Sequence, residues 1–194
     1  MRNHSAQNIV IWGDKRDRQI ADTLLRMLQK RFTIHHFRQS FAEAETVGSG
    51  DESINLIETH EMRELRLSPC ILLVQNEAKL SVLHYLGEET SIIINASNTR
   101  GIDRLARLSK SIYTCGFSGK DYVTFSSREE ENVVVSLQRS VPFADGAACE
   151  PFEIPCCAEE PLEDYTLLSC VLALILLREL DENKSKNIGK IYFS

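Results

Sequence analysis

The stretch from Asn8 to Phe37 constrains this chain more than any other. Asn8–Trp12 (Asn-Ile-Val-Ile-Trp) is a short apolar run stopped by Gly13, the pattern of a buried strand. From Asp17 to Arg31 the period lengthens. Ile20, Ala21, Leu24, Leu25 and Leu28 fall on one helical face, with Arg18, Asp22, Arg26 and Gln29 away from it. Phe32–Phe37 then reads as a second strand. Strand, helix and strand within about thirty residues make a βαβ unit, and its crossover implies a parallel sheet.

The following residues extend that grammar. Arg38–Ser53, with Gly48-Ser49-Gly50-Asp51 inside it, reads as a loop, and Ile54–Leu65 as a short polar helix. Pro69 introduces a third strand, Cys70–Val74, and Ser91–Asn95 is a fourth. A helix with Ile102, Leu105, Ala106 and Leu108 inward follows. Ile112–Cys115 makes a fifth strand, ended by Gly116. Beyond it, Asp121–Ser126 and Val133–Arg139 alternate apolar and polar residues on either side of a charged turn, as a hairpin with one wet face does. Phe152-Glu153-Ile154 is a short run between Pro151 and Pro155, and a helix over Glu163–Leu180 closes the core. Asp181–Ser194 reads as a flexible tail in which Ile191-Tyr192-Phe193 offers an edge strand. The expected fold is a single α/β domain over residues 1–180: three-layer and Rossmann-like, with a largely parallel sheet and a β-hairpin extension at about 117–140.

Composition sets the outer limits. At 194 residues the chain suits one domain of about 100–200 residues. With 43% hydrophobic and 26% charged residues it is neither fibrous nor disordered by default. A net charge of −6 opposes a nucleic-acid footprint, which needs clustered positive charge. Residues 1–110 hold 15 Lys/Arg against 14 Asp/Glu, while residues 111–194 hold 7 against 14. The acidic surplus is a solvated face or the mark of a cationic partner. Leu167–Leu177 is the longest apolar run and would rise only about 16 Å as a helix, half a bilayer core, so it reads as a buried helix and not a membrane span. The polar Met1–Ser5 start lacks the apolar stretch of a signal peptide. Six cysteines without a Cys-x-x-Cys read as reduced thiols, so a cytoplasmic protein is expected.

Five places invite a chemical reading. Gly13-Asp14-Lys15-Arg16-Asp17-Arg18 lies between the first strand and its helix, where helix-start N–H groups attract phosphates. A working phosphate loop needs a second Gly, then Lys and Ser/Thr. Arg16, Asp17 and Arg18 stand at those positions, which opposes tight nucleotide binding and leaves anion binding through Gly13, Lys15, Arg16 and Arg18. Gly116-Phe117-Ser118-Gly119-Lys120 resembles a Gly-x-Ser-x-Gly elbow with its second Gly one residue early, and a strand rather than a helix follows. His35 and His36 point to opposite faces of a strand and cannot easily share a metal. His4, His60 and His84 lack ligand-like neighbours, so no metal site is expected. Cys115 has no histidine near it in sequence to serve as a base. Glu129-Glu130-Glu131 reads as a solubilising turn.

The order of elements resembles the central, ATP-binding domain of the Mur ligases, cytoplasmic enzymes that join amino acids to the peptidoglycan precursor. In that family a first strand runs into Gly-Thr-Asn-Gly-Lys-Thr and a helix; Ile9–Leu28 keeps the frame with Gly13 alone matching. Ile92–Asn98 and Ile112–Ser118 follow the family's strand into Asn-x-Asp-Asp and its strand into a Tyr-Gly turn. That alignment marks Asn95 and Asn98 as a strand-end site, with Ser97-Asn98 in place of the acidic pair. Asp17 and Arg18 replace the phosphate-loop Lys and Thr, the magnesium-binding Glu has no counterpart, and His-Asn is missing near Glu163-Asp164-Tyr165. The resemblance implies a bacterial, non-catalytic binding or regulatory module near peptidoglycan precursor synthesis, its partner a protein or a small anionic metabolite. Two alternatives stand beside it. One is an ATP- and magnesium-dependent amino acid ligase using a non-standard loop or a partner chain. The other is a Rossmann-like binder of a small anionic metabolite at the strand ends.

Overall fold

A computed structural model describes residues 7–39, 43–109, 111–129, 133–158 and 161–193. The chain divides into two compact units, one of residues 1–94 and 98–112, the other of residues 95–97 and 113–194.

The first unit contains, in chain order, β1 (Gln7–Trp12), α1 (Gln19–Leu28), β2 (Phe32–Arg38), β3 (Glu43–Val47), β4 (Glu52–Thr59), β5 (Glu64–Leu65), β6 (Cys70–Val74), a 3-10 turn (Leu80–Val82), β7 (Tyr85–Leu86), β8 (Thr90–Asn95) and α2 (Thr99–Leu105). Its main strands lie in the order β8-β6-β1-β4-β2-β3. Neighbours are parallel from β8 to β2, and β3 turns back antiparallel along β2. Cys70–Val74 is buried along its whole length, as a central strand covered on both faces must be. Val10, Trp12, Leu72, Val74, Ile92, Ile94 and Leu105 share one apolar cluster. In α1 the face carrying Ile20, Ala21, Leu24 and Leu28 is buried, as the spacing requires.

The second unit holds β9 (Ile112–Cys115), β10 (Val123–Arg128), β11 (Val133–Leu137), β12 (Val141–Pro142), β13 (Ala148–Cys149), β14 (Phe152–Ala158), α3 (Asp164–Leu176), α4 (Glu182–Ile188) and β15 (Ile191–Phe193). Here the order is β15-β14-β11-β10-β9. β10–β11 and β11–β14 are antiparallel, and β14–β15 parallel. Ten residues of α3 are buried, because a helix apolar all round has no face for water. It packs on β10, while α4 packs on β14. Among the described residues no helix is long and apolar enough to cross a membrane.

The expected three-layer, largely parallel α/β fold is overturned. Among the described residues the chain is mostly β, only 22% helical, and its sheets are mixed. Two misread segments account for much of the difference. Ile54–Leu65 is not a helix: Ile54 and Leu56 alternate with Ser53 and Asn55, and that period of two makes β4. The 38–53 loop contains β3, whose Glu-Ala-Glu-Thr-Val has no apolar stripe to announce it. The hairpin at 117–140 is not an extension, since β14 pairs with β11 and so places the hairpin inside its unit's sheet. Residues 181–193, read as a flexible tail, hold α4, and the edge strand offered by Ile191-Tyr192-Phe193 is present as β15.

Candidate functional site

The turn between β1 and α1 is built around Gly13. Its N–H donates to Thr59 O (3.1 Å), and the neighbouring Trp12 carbonyl accepts from Gln75 N (2.9 Å), so the ends of β4 and β6 grip the turn from two sides. Asp14 shapes the start of the turn: its carbonyl accepts from Asp17 N (3.2 Å) and its Oδ1 from Arg16 N (2.9 Å). Asp17 then does the work of a bound anion. Its Oδ1 accepts from the N–H of Gln19, the first residue of α1 (3.2 Å). Its Oδ2 and its carbonyl accept from Gln75 Nε2, at 2.8 and 3.1 Å. A helix start attracts negative charge, and here the chain supplies its own. Gln75 is buried and fills the space over Gly13: a Cβ on Gly13 would lie 2.0 Å from Gln75 Oε1 and 2.3 Å from Gln75 Cβ.

The other residues read as anion-binding lie around this plug. Lys15 and Arg16 are exposed. Arg18 is drawn aside to Asp22 (2.9 Å) and faces Glu58 at 3.9 Å. The pocket left between Asp14, Asp17, Arg18, Glu58 and Gln75 is about 20 Å³, room for one water. ATP and magnesium do not fit these residues. A carboxylate stands where a phosphate would be held, and an amide occupies the approach that the loop's glycine leaves open in a nucleotide site.

Asn95 and Asn98 are engaged locally. Asn95 Oδ1 accepts from Ser97 N (3.0 Å) and Ser97 Oγ (2.8 Å), while Asn98 Oδ1 caps α2 by accepting from Gly101 N (3.0 Å). Ser118 belongs to a turn in which its N–H donates to Asp121 Oδ2 (3.0 Å) and its Oγ accepts from Lys120 N (3.2 Å). Cys115 is buried, and burial pushes its thiol well above the usual range. Burial likewise raises Cys70 and Cys156 to about 12 and Cys149 to about 11. No group of three His, Cys, Asp or Glu suited to a metal ion occurs among the described residues. His4, Glu130 and Glu131 lie outside them.

Two features escaped the sequence. One is a cleft of about 600 Å³ in the first unit, with Val10, Ile57, Met62 and Leu65 as apolar lining and Phe37 beside them. Met62 and Leu65 sit among charged residues, so neither period reveals them. On the cleft's lining Arg38 is paired with Glu43, and Glu64 with Arg66, whereas Arg63 and Glu61 have no ion-pair partner among the described residues. The other feature is His36, which is buried with Glu45 Oε1 2.8 Å from Nδ1 and Glu58 Oε1 2.7 Å from Nε2. A histidine in an alternating strand signals nothing of partners nine and 22 residues away. Compared with known families and with curated proteins, the chain matches no family model and no curated sequence.

Proposed function

We propose that this chain is a non-catalytic binding module that takes a small amphipathic anion in the cleft of its first unit. The observation that carries the reading is the cleft itself. Its volume falls within the range of about 300–1,000 Å³ typical of small-molecule sites, and it joins an apolar lining to a few charged groups, as such sites do. Arg63 is the cation left to receive an anionic group, and Glu61, two residues before it on the same lining, favours ligands that also carry a donor. The filled turn at Asp17 and Gln75 supports the non-catalytic half of the reading, because nucleotide chemistry has no cradle there. A regulatory role near peptidoglycan precursor synthesis is carried by the Mur ligase resemblance alone, and likeness of element order does not set a function.

Titration with 8-anilinonaphthalene-1-sulfonate, an amphipathic anion, tests the cleft. Saturable binding at one site is expected. Arg63→Glu should weaken it about tenfold or more, the equivalent of some 1.4 kcal/mol, and Leu65→Arg should abolish it. Binding indifferent to both substitutions would remove the cleft from consideration. Calorimetry with ATP and ADP, with and without magnesium, tests the other half. No heat is expected at millimolar nucleotide; micromolar, magnesium-dependent binding would bring the ligase reading to the front.

A further inference from the structure

The edge strand β3 is held by few apolar contacts. Residues 43–46 are exposed and Val47 is half-buried, so its attachment to the sheet rests on the ladder to β2 and on cross-strand side chains. His36 of β2 lies directly opposite Glu45 of β3. Its ring is fully buried between that carboxylate and Glu58 of β4. A neutral imidazole has one N–H and can donate to only one of the two. The second nitrogen would then aim a lone pair at a carboxylate oxygen less than 3 Å away. Both contacts are satisfied together only when the three groups hold one extra proton, which makes the ring a cation between two anions.

We propose that His36, Glu45 and Glu58 form a proton-operated clamp that holds β3 on the sheet at mildly acidic to neutral pH and releases it as the pH rises. The charged groups around the ring fit this role. β3 brings Glu45, and also Glu43, which pairs with Arg38 two residues along from His36 on β2. β4 brings Glu58, whose charge also faces Arg18 at the start of α1, and Arg18 in turn pairs with Asp22. His35 points away, against Thr46 Oγ1 at 3.3 Å. Beyond β3 the chain is anchored: Thr33 Oγ1 donates to Gly50 O (2.8 Å), and Gly48, at φ +85°, passes so close to Phe32 O that a Cβ there would lie 2.3 Å from it. Release therefore concerns residues 43–47, and it does not depend on the cleft having a ligand.

The sign comes from the two kinds of group. The Glu58 hydrogen bond, aided by Glu45 and opposed by burial, raises the imidazole above its ordinary 6.5. The clamp is thus complete below about 6.5 and is lost as the pH climbs through the raised value, β3 opening at most about tenfold more per pH unit. Glu45 shifts the opposite way, chiefly through its hydrogen bond to His36, so the clamp also fails as the pH falls below the ordinary 4.5 through the lowered value. β3 is held most firmly between these limits.

Nitrogen-15 NMR of the imidazoles, together with amide exchange over residues 43–47 from pH 5 to 9, tests the clamp. Once the intrinsic pH dependence of exchange is divided out, protection of β3 should fall across the interval in which His36 loses its proton. At pH 6.5 both ring nitrogens should carry hydrogen. Glu45→Gln, at a side chain 53% exposed, should leave β1 and β6 protected while His36 titrates lower and β3 opens more readily. A His36 ring neutral at pH 6.5 would overturn the proposal. So would β3 protection that stays flat through the titration, or a Glu45→Gln protein indistinguishable from wild type in both readouts.

Discussion

Gly13→Ala is the sharpest probe of the filled turn. An ideal Cβ at residue 13 would stand 2.0 Å from Gln75 Oε1, 2.3 Å from Gln75 Cβ and 2.7 Å from Gln75 Cδ. Rotating the amide away removes the first and third clashes and leaves the second, because Cβ is fixed to a backbone whose N–H is bonded to Trp12 O. Overpacking of this kind costs about 1–3 kcal/mol, and expelling the amide from the Asp17 carboxylate costs about 1.5–3 kcal/mol more. The sum, about 2.5–6 kcal/mol, is a large part of a domain's usual stability. With a mid-range slope of about 2 kcal/mol/M, the urea midpoint followed by far-UV circular dichroism should drop by about 1–3 M. A second-site test isolates the cause. Gln75→Ala keeps the offending Cβ and should not rescue Gly13→Ala, whereas Gln75→Gly removes it and should recover the cost of the clash, about 1–3 kcal/mol. Equal costs for Gly13→Ala in the wild-type and Gln75→Gly backgrounds would refute the reasoning, since the glycine would then be needed for something other than Gln75.

Three further outcomes are expected. Arg178 follows α3 at φ 61°, a left-handed conformation that costs a residue with a Cβ about 1 kcal/mol relative to glycine; thermal unfolding should therefore rank Arg178→Gly above Arg178→Ala, the reverse of helix propensity. The same Arg178→Ala change should raise the Asp145 carboxyl, held at about 2 chiefly by its hydrogen bond to Arg178, part of the way toward its ordinary 3.8 in an NMR titration, since the Ala147 N–H still holds it down. Iodoacetamide on the native protein, mapped by mass spectrometry, should modify Cys157 first, because the other five cysteines are buried and Cys157 is half-buried.

What the sequence made legible was local. β1, α1, β2, β6 and β8 each announce themselves within their own residues, by an apolar run or a 3.6-residue stripe. β3 and β4 did not. β4 reads as a helix only if Ile57 is counted with Ile54 as an i, i+3 pair, and in the structure Ile54 and Leu56 are buried while Ile57 lies half-buried on the other face. β3 is polar on both faces because an edge strand with little apolar burial is selected by its partner's hydrogen bonds rather than by water. The sequence also carries no sign of how many strands a unit's sheet will collect: the hairpin at residues 117–140 reads as an appendage on its own, and β14, pairing with β11, makes it part of the sheet.

The same distinction runs through the site. That Asp17 stands where a phosphate loop carries lysine is a one-residue fact, and chemistry alone turns it into an argument against a bound triphosphate. That the carboxylate is also the ligand of its own helix start requires Gln75, 58 residues further along, and no spacing rule links the two. His36 carries the point further. Its neighbours in sequence, His35 and Phe37, face the other way along the strand, and its charge is decided by Glu45 and Glu58 arriving from two flanking strands. A buried imidazole between two carboxylates would be expensive if either were missing, since the desolvated cation would have only half its compensation. Sheet order therefore decides the chemistry here. Had β3 not folded back onto β2, His36 would have one carboxylate partner, one proton fewer to hold, and no strand to release.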